Sequence, residues 1–206
     1  MNNFVKIRKY NYERKEEELS WLRCRVLSFL DSAYFDDVKR KKEIYNNPAV
    51  ELVAECDDKI VGLIDIEFEK NIGDVAYKST ELGAVIWHLA VLPEYRNQGI
   101  ASNLLKSAIE VLHKNNIKIL QAWTRDDKWV LQWYQSHNFN RKESYLHVFA
   151  EDEECDEISK SKIPKLYVCT TFAHYVGEDD EKIKKQFKRV HQCNLFERNL
   201  SQKKEI

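Results

Sequence analysis

The sequence lacks the segments that carry a chain into or across a membrane. Residues 1–12 hold no apolar stretch of the kind found in a secretory signal. No run of about 18 apolar residues occurs anywhere in the chain, so no helix is predicted to span a bilayer. We therefore expect a protein with no targeting segment and no membrane partner.

Paired cysteine motifs and a charge excess of either sign are missing as well. The five cysteines are widely spaced without a C-x-x-C pair, which fits neither a zinc site nor a disulfide framework and is typical of reduced thiols in the cytoplasm. Lys and Arg number 33 against 34 Asp and Glu, and the resulting net charge of −1 disfavours a nucleic-acid partner. His137 and His147 have no metal-ligand spacing with other His or Cys, so we expect no bound metal.

Hydrophobic periodicity predicts the elements of the amino-terminal part. Residues 4–10 are predicted to form a short strand, and one or two amphipathic helices follow over 13–40. The apolar stripe of this helical region recurs at three- and four-residue steps and consists of Leu19, Leu22, Val26, Phe29 and Leu30. Alternation then predicts a β-hairpin over 50–68, with its turn at Asp57 and Asp58.

An apolar run opens the next part of the chain. Residues 84–92, AVIWHLAVL, are typical of a central strand buried on both faces. An amphipathic helix follows Gly99, a second buried strand is predicted over 117–124, and another helix over 127–137. Asn138 stands where a residue in the left-handed conformation would end that helix.

The remaining residues complete a single domain, 1–206, of mixed α/β (α+β) class. Two more strands are predicted, over 144–150 and 165–174. A basic amphipathic helix is predicted over 178–200, and it forms most of a C-terminal helical extension over 175–206. The order of strands and helices indicates a mixed sheet with helices packed against it.

The turn after the central strand has the composition of an anion site. The first N–H groups of a helix have no intrahelical acceptor, and the helix dipole favours negative charge there. Gly99 has no Cβ, so a phosphate could approach its backbone, and Arg96 adds a cation whose donor fork suits phosphate oxygens. These residues predict a pyrophosphate site at 96–102, although a glycine before a helix also serves ordinary turn geometry.

Motifs in this region resemble the GNAT superfamily of N-acetyltransferases. RNQGIA, residues 96–101, fits the family's acetyl-CoA motif Arg/Gln-x-x-Gly-x-Gly/Ala, and it follows a strand that ends in LAVLPEYR. WYQSHNF then supplies the helical Tyr134 and, four residues later, Asn138 and a Phe in place of the family's Gly-Phe. The resemblance covers about 50–150 and implies a GNAT-like fold, with a central, mostly antiparallel sheet and an acetyl-CoA-binding core over 84–139.

The resemblance also implies how acetyl-CoA would bind and react. Backbone groups of Leu89 and Val91 would pair with the pantetheine arm like an added strand, with the Leu89 N–H near the thioester carbonyl. Tyr134 would be the general acid that protonates the departing CoA thiolate. Amides of 97–102 would hold the pyrophosphate, and Asp127 stands where the family often has an Asn that touches pantetheine. The implied cofactor-binding residues are Leu89, Val91, Arg96, Asn97, Gln98, Gly99, Ile100, Ala101, Ser102 and Asp127.

The general base and the acceptor-binding residues stay open in the sequence. His88 lies in the key strand, but alternation along a strand would point it away from Trp87 and Leu89, as a core histidine. Glu81 is a comparable candidate, and a free amine could also lose its proton through water. Carboxylates that would suit a cationic amine, or that are simply solvated, are Asp31, Asp36, Asp37 and those of 151–154.

The resemblance predicts an enzyme that transfers acetyl from acetyl-CoA to a primary amine by direct attack. A small-molecule acceptor, a metabolite or an antibiotic-like amine, is favoured over a protein. Two alternatives stay open: a non-catalytic acyl-CoA-binding regulatory module, and an interaction protein that uses the basic surface of 182–198. GNAT proteins often dimerise through late strands or a terminal helix, so 165–200 are the candidate homodimer surface.

Overall fold

The structure is a computed structural model that describes residues 4–201, and one sheet of eight strands organises it. The strands are β1 (Lys6–Lys9), β2 (Ala49–Cys56), β3 (Lys59–Phe68), β4 (Gly83–Val91), β5 (Ile119–Thr124), β6 (Asn140–Glu151), β7 (Thr170–Tyr175) and β8 (Arg189–Asn199). The α-helices are α1 (Glu17–Phe29), α2 (Ile100–Lys114), α3 (Lys128–Ser136) and α4 (Asp180–Gln186). None of the helices within residues 4–201 combines the length and apolar character needed to cross a membrane.

The sheet is mixed and mostly antiparallel, which confirms the predicted fold class. Its strands follow the order β1-β2-β3-β4-β5-β8-β6-β7. Every neighbouring pair is antiparallel except β4 and β5, which run parallel because α2 crosses over between them. These two strands are the fourth and fifth of the eight in the sheet, so both edges of each strand face other strands.

The helices α1 and α2 cover opposite faces of the sheet. On one face, α2 approaches β3 so closely that a Cβ on Gly62 would lie 2.9 Å from the side chain of Ile100. On the other face, the Trp21 ring of α1 packs edge-on against His88, at 5.2 Å between centroids. His88 is paired with Asp65, which lies three residues from Gly62 along β3, so the Asp65 side chain is on the face opposite to the one where a Cβ on Gly62 would lie.

The predicted C-terminal helix over 178–200 is wrong beyond its first turns. The helix ends at Gln186, and β8 then inserts between β5 and β6. The adjacent residues Leu195 and Phe196 are both buried, as expected for a strand that is covered on both faces. By its insertion, β8 pairs with the edge of β5 that does not face β4. Residues 202–206 of the predicted extension lie outside the described residues.

This insertion also changes the candidate homodimer surface over 165–200. β8 is paired on both sides and is closed to a partner strand. β7 is the edge strand of this half of the sheet, and α4 lies outside the sheet. A dimer through this region would therefore use β7 or α4, and the basic residues of 182–198 do not share one helical face.

The buried face of α1 differs from the predicted apolar stripe. Leu19 is 71% exposed, and Leu30, just after the helix, is 56% exposed. The side chains that α1 buries are Glu17, Trp21, Cys24, Arg25 and Ser28. Because α1 faces a part of the sheet that contains buried Asp65 and His88, its polar side chains find hydrogen-bonding and ionic partners there. The helical region also ends at Phe29 rather than near residue 40.

A buried lysine ties the segment after α1 to the sheet. The ammonium nitrogen of Lys42 lies 2.8 Å from the carboxylate of Asp65 and also bonds Glu51. Aromatic ring centroids surround this nitrogen at 5.0–5.8 Å, and they belong to Tyr10, Tyr12, Trp21 and Tyr45. Burial alone would lower the pKa of Lys42, but the two carboxylates outweigh burial, and the pKa is raised. Lys42 therefore stays charged in the core.

Replacing Lys42 with Met should destabilise the fold strongly, because the Asp65 carboxylate would lose its counter-ion in a buried place. We expect the free energy of unfolding, measured by urea denaturation, to fall by about 3–5 kcal/mol. The double variant K42M/D65N should lose less than the sum of the two single variants. Strictly additive losses would show that the two side chains do not interact.

Candidate active site

The candidate site lies where β4 and β5 part. The two strands pair in parallel as far as Ile86 and Ala122, and within residues 4–201 no pairing between them continues beyond that point. There, Trp87 is the extra residue of a β-bulge between β4 and β3. Bulges bend the strand that contains them. The bend separates the last residues of β4 from β5 and leaves an opening between the strands.

The backbone of β4 presents hydrogen-bonding groups to this opening. The N–H of Leu92 donates to the carbonyl of Val61 at 2.9 Å. The even-numbered residues of this part of β4 therefore direct their N–H and C=O groups toward β3. Leu89 and Val91 are odd-numbered, so their N–H and C=O groups point to the opposite, open side. The Val91 carbonyl accepts a 3.3 Å hydrogen bond from Nε of Arg96. The two residues predicted to pair with pantetheine thus border the opening with one N–H each.

The amino end of α2 lies directly after this part of β4. Gly99 precedes the helix with a φ of 76°, a conformation that favours glycine. The first intrahelical bond runs from the N–H of Asn103 to the carbonyl of Gly99, so the N–H groups of 100–102 have no acceptor within the helix. No side chain caps these donors, and a Cβ built on Gly99 would meet no atom within 4 Å. This end of α2 is an open, electropositive group of backbone donors.

The guanidinium of Arg96 is engaged with the end of α1. It donates to the two carboxylate oxygens of Asp31 at 2.5 and 2.9 Å and to the carbonyl of Ser28 at 2.7 Å. The Trp129 ring lies beside it, 4.9 Å from the centroid. These bonds hold the pKa of Asp31 below its usual value. The Arg96 guanidinium, which the sequence analysis assigns to phosphate binding, is therefore bonded to the end of α1 and fixes the turn against that helix.

Tyr134 lies on α3 at the level where β4 and β5 part. Its ring stacks on Phe196 at 5.5 Å and meets the edge of Phe139 at 5.2 Å. Phe196 is the β8 partner of Ala122, the last β5 residue that pairs with β4. Burial raises the pKa of Tyr134, so its hydroxyl keeps its proton well above neutral pH. This hydroxyl makes no hydrogen bond within the described residues. It is not fully buried, because it is absent from the enclosed polar atoms that lack a partner.

The carboxylate of Asp127 holds the segment that follows α1. Both of its oxygens accept from the N–H of Ala33, at 3.0 and 3.1 Å. The guanidinium of Arg125 donates to the Ala33 carbonyl, and the Arg125 N–H donates to the Tyr34 hydroxyl at 3.1 Å. An Asp at position 127 suits this arrangement, because a carboxylate accepts hydrogen bonds from a backbone donor and offers none in return.

The three aspartates proposed for amine binding are already paired with arginines. They belong to the segment 31–37, which crosses the carboxyl ends of β4 and β5. The pairs are Asp31 with Arg96, Asp36 with Arg189, and Asp37 with Arg25. In 151–154, the Glu154 carboxylate accepts the backbone N–H of Lys188 at 2.9 Å. The carboxylates of 31–37 act as internal counter-ions here.

Comparison with known proteins decides the family. The model of the acetyltransferase (GNAT) family matches residues 10–139, which is more than half of the chain. The chain belongs to the GNAT acetyltransferase family. The matched range ends at Phe139, just after the helix that contains Tyr134, so it includes the opening, the start of α2 and the proposed general acid.

One relative in sequence and two solved structures agree with this assignment. An uncharacterised N-acetyltransferase of Archaeoglobus fulgidus is 31% identical over 101 residues, which are 45% of this chain and 61% of that relative's length. A GNAT-family acetyltransferase of Staphylococcus aureus Mu50 superimposes with a TM-score of 0.55 at 18% identity, over 96% of this chain and 99% of that one. The PaiA N-acetyltransferase of Thermoplasma acidophilum, solved with coenzyme A, gives 0.52 at 17% identity, over 68% and 91%.

His88 is buried beside the opening, and the bulge changes which way its neighbour points. The Trp87 indole donates to the carboxylate of Glu67 at 2.9 Å, on the face where His88 also lies, so strict alternation fails here. Nδ1 of His88 accepts from Nε of Arg25 at 3.2 Å, and Nε2 then donates to Glu43 at 3.0 Å. With both ring nitrogens occupied, His88 has the contacts of a core histidine.

Glu81, the other candidate base, is exposed and lies before β4 begins. About 20 Å of extended strand separates Gly83 from Leu89. A carboxylate at residue 81 is therefore far from the open end of β4, and direct proton transfer to it would require a long rearrangement.

Within residues 4–201, no group of three or more His, Cys, Asp and Glu side chains has an arrangement that could hold a metal ion. The five cysteines are all unpaired thiols, and four of them are buried. The metal-free and reduced character expected from the sequence stays a prediction.

An aromatic row that the sequence analysis missed crosses the face of the sheet that also carries α1. Its rings lie on β5, β6, β7 and the loop before β4, and each ring centroid is 4.7–5.7 Å from the next. In order, the aromatic row consists of Tyr77, Trp123, Tyr145, His174, His147, Phe172 and Phe149. The signal that could have found it is the two-residue spacing of rings in 145–149 and 172–174, which places them on one face of two strands.

His147, in the middle of the aromatic row, is neutral at pH 7. Its Nδ1 accepts from Nε of Arg125 at 3.2 Å, and its Nε2 faces the Tyr145 hydroxyl at 3.2 Å. The pKa of His147 is lowered to about 4, mainly by burial and in addition by Arg125, His174 and His191, while Asp126 acts in the opposite direction. A second proton would have to bind at Nδ1, where it would face the Arg125 guanidinium and remove the acceptor of the hydrogen bond from Arg125.

This depressed pKa makes stability depend on pH. Between about pH 6.5 and pH 4 the unfolded chain protonates residue 147 while the folded chain does not, so stability is lost as pH falls through this window. In His147→Gln the amide can keep both hydrogen bonds without titrating. We expect the pH slope of the unfolding free energy to be smaller in this variant by about 1.4 kcal/mol per pH unit near pH 5. Equal slopes in urea denaturation series would contradict the assignment.

Proposed function

We propose that this chain is an acetyl-CoA-dependent N-acetyltransferase that acetylates a primary amine of a small molecule by direct attack. Membership in the GNAT family supports acetyl transfer from acetyl-CoA. The observation that carries the proposal is the opening between β4 and β5, where unpaired backbone groups of β4 lead directly to the open amino end of α2. An extended arm that ends in a pyrophosphate fits both features together.

In this proposal the donor substrate lies along β4. Backbone groups of Leu89 and Val91 bond the pantetheine arm as a neighbouring strand would, and the Leu89 N–H lies near the thioester carbonyl. The backbone donors of 97–102 hold the pyrophosphate, and Gly99 keeps the approach open. Arg96 shapes this turn by holding Asp31, and Asp127 acts on the arm only through the position of the segment 31–37.

The transfer step makes one bond and breaks one bond. The neutral amine attacks the thioester carbonyl, an N–C bond forms, and the C–S bond to CoA breaks. The Leu89 N–H stabilises the negative charge that develops on the carbonyl oxygen. Tyr134 gives its proton to the departing thiolate, and the nitrogen loses its proton to water. Tyr134 is protonated at neutral pH, because the ordinary pKa of a tyrosine hydroxyl is about 10 and burial raises it.

The absence of bonds to the Tyr134 hydroxyl makes Tyr134→Phe a clean test of the general acid. We expect acetyl-CoA affinity and melting temperature to match the wild type, because no hydrogen bond is lost. The turnover number should fall about 100-fold or more, as expected when a general acid is removed. Undiminished turnover would remove Tyr134 from the mechanism. Wild-type protein that binds acetyl-CoA but acetylates no amine would instead favour the regulatory acyl-CoA-binding module.

A matched pair of glycine variants tests the donor site. Gly99 and Gly73 both have positive φ, at 76° and 93°, and neither has an atom within 4 Å of a built Cβ. Gly99→Val and Gly73→Val should therefore suffer similar backbone strain. By calorimetry, only Gly99→Val should lose about tenfold or more in affinity for acetyl-CoA and for free CoA. Equal affinities in the two variants, or no binding by folded wild-type protein, would overturn the donor site.

We also propose that the protein works in the cytoplasm. Unpaired thiols persist in a reducing compartment, and all five cysteines are unpaired here.

A further inference from the structure

The second ring of the aromatic row, that of Trp123, lies beside the opening. Trp123 directly follows Ala122, the last β5 residue that pairs with β4. Gln121 shares a face with Val85 and with Glu67 through the sheet register, and Trp123 lies two residues further along that same face. Trp123 therefore brings the row beside the point where, under the proposed function, the acyl group is transferred, and the row lies on the face away from α2.

The aromatic row is held between two loops. At one end, the loop before β4 contributes the first ring, which is 41% exposed. At the other end, the Arg189 guanidinium lies 4.0 Å from the Phe149 ring centroid and 4.5 Å from that of Phe35. The Arg125 guanidinium lies between Phe149 and Tyr34 in the same way, at 4.8 and 4.2 Å. These cation–π contacts hold the segment 31–37 beside the aromatic row. The row therefore lies between this segment and the loop before β4.

Most of the charged groups around the aromatic row already have a partner. His147 is neutral, and both guanidinium groups face rings and carboxylates. The carboxylates that surround the row each have a partner: Asp36 with Arg189, Asp126 with His191, Glu67 with Trp87, and Glu143 with Lys78. A ligand with several ammonium groups would have to displace these partners, whereas a flat apolar ligand would gain ring contacts.

We propose that the aromatic row is the acceptor-binding surface and that it selects a primary amine attached to an aromatic body. This inference rests on the proposed function and names the substrate class of the same site. The aromatic body stacks against the row, and its short side arm carries the amino group toward the opening beside Trp123. Amines with many charges, such as polyamines and aminoglycosides, are poor substrates in this reading because the row offers them no unpaired carboxylate.

The first test compares amines at a fixed, saturating concentration of acetyl-CoA, with CoA release as the readout. The panel contains 2-phenylethylamine and tryptamine, the polyamine spermidine, the aminoglycoside kanamycin and a short peptide with a free amino terminus. We expect kcat/KM for the two aryl amines to exceed that for every other member by about tenfold or more. A higher kcat/KM for spermidine, kanamycin or the peptide would overturn the inference.

The second test removes one ring of the aromatic row. Phe172 is 51% exposed on the edge strand, so Phe172→Ala should fold normally. We expect its KM for 2-phenylethylamine to rise about five- to tenfold, with unchanged kcat and unchanged acetyl-CoA affinity. Tyr167→Ala is the control, because Tyr167 is 82% exposed and lies outside the row. Equal KM values in both variants, or a Phe172→Ala effect on kcat alone, would contradict acceptor binding by the row.

The two proposals fail in different ways. If the folded protein does not bind acetyl-CoA, the proposed function falls, and this inference falls with it. If acetyl-CoA binds and spermidine is acetylated faster than the aryl amines, the proposed function stands and only the aromatic selectivity is overturned.

Discussion

The β-bulge at Trp87 is the constraint on which the rest of the site depends. Without the bulge, the parallel pairing of β4 with β5 could continue past Ile86 and Ala122 toward Thr124, where β5 ends, and the two strands would not separate at this point. One extra residue bends the strand and ends that pairing after Ile86. The polar groups exposed in this way need partners, because an unsatisfied backbone group in a protein interior is costly. The opening is thus suited to an extended ligand that has its own donors and acceptors.

Arginines connect the two sides of this opening. Arg96 bonds the end of α1 from the donor side, while Arg125 and Arg189 hold the following segment against the aromatic row. The segment 31–37 is therefore fixed at both the proposed donor site and the proposed acceptor surface. Such charge-assisted bonds are directional, and several of them act on one short segment. Its position, rather than its negative charge, is what it contributes to the site.

Much of the fold could be predicted because its signals are local. The apolar run of β4, the glycine before α2 and the left-handed Asn138 are each set by a few neighbouring residues, and the structure has Asn138 at a φ of 62°. The errors came where tertiary partners override a local pattern. The helical spacing of Ile183, Phe187 and Val190 predicted one helix over 178–200. The later part of this segment is instead a strand, because it pairs with the edge of β5. The predicted buried face of α1 is wrong, because the face that α1 buries is determined by contacts with buried polar groups of the sheet and not by the spacing of apolar residues.

The candidate site divides in the same way. The sequence by itself determined the donor half: a strand, a glycine turn, a helix and a tyrosine in fixed order, all within 84–139, where spacing along the chain also places residues close in space. Only the tertiary structure decided that the carboxylates of 31–37 are paired with arginines, that His88 is enclosed by Arg25 and Glu43, and that the rings of the aromatic row meet. These contacts join residues that are far apart in the chain. Their geometry depends on strand order and on the bulge, which no local pattern in the sequence specifies.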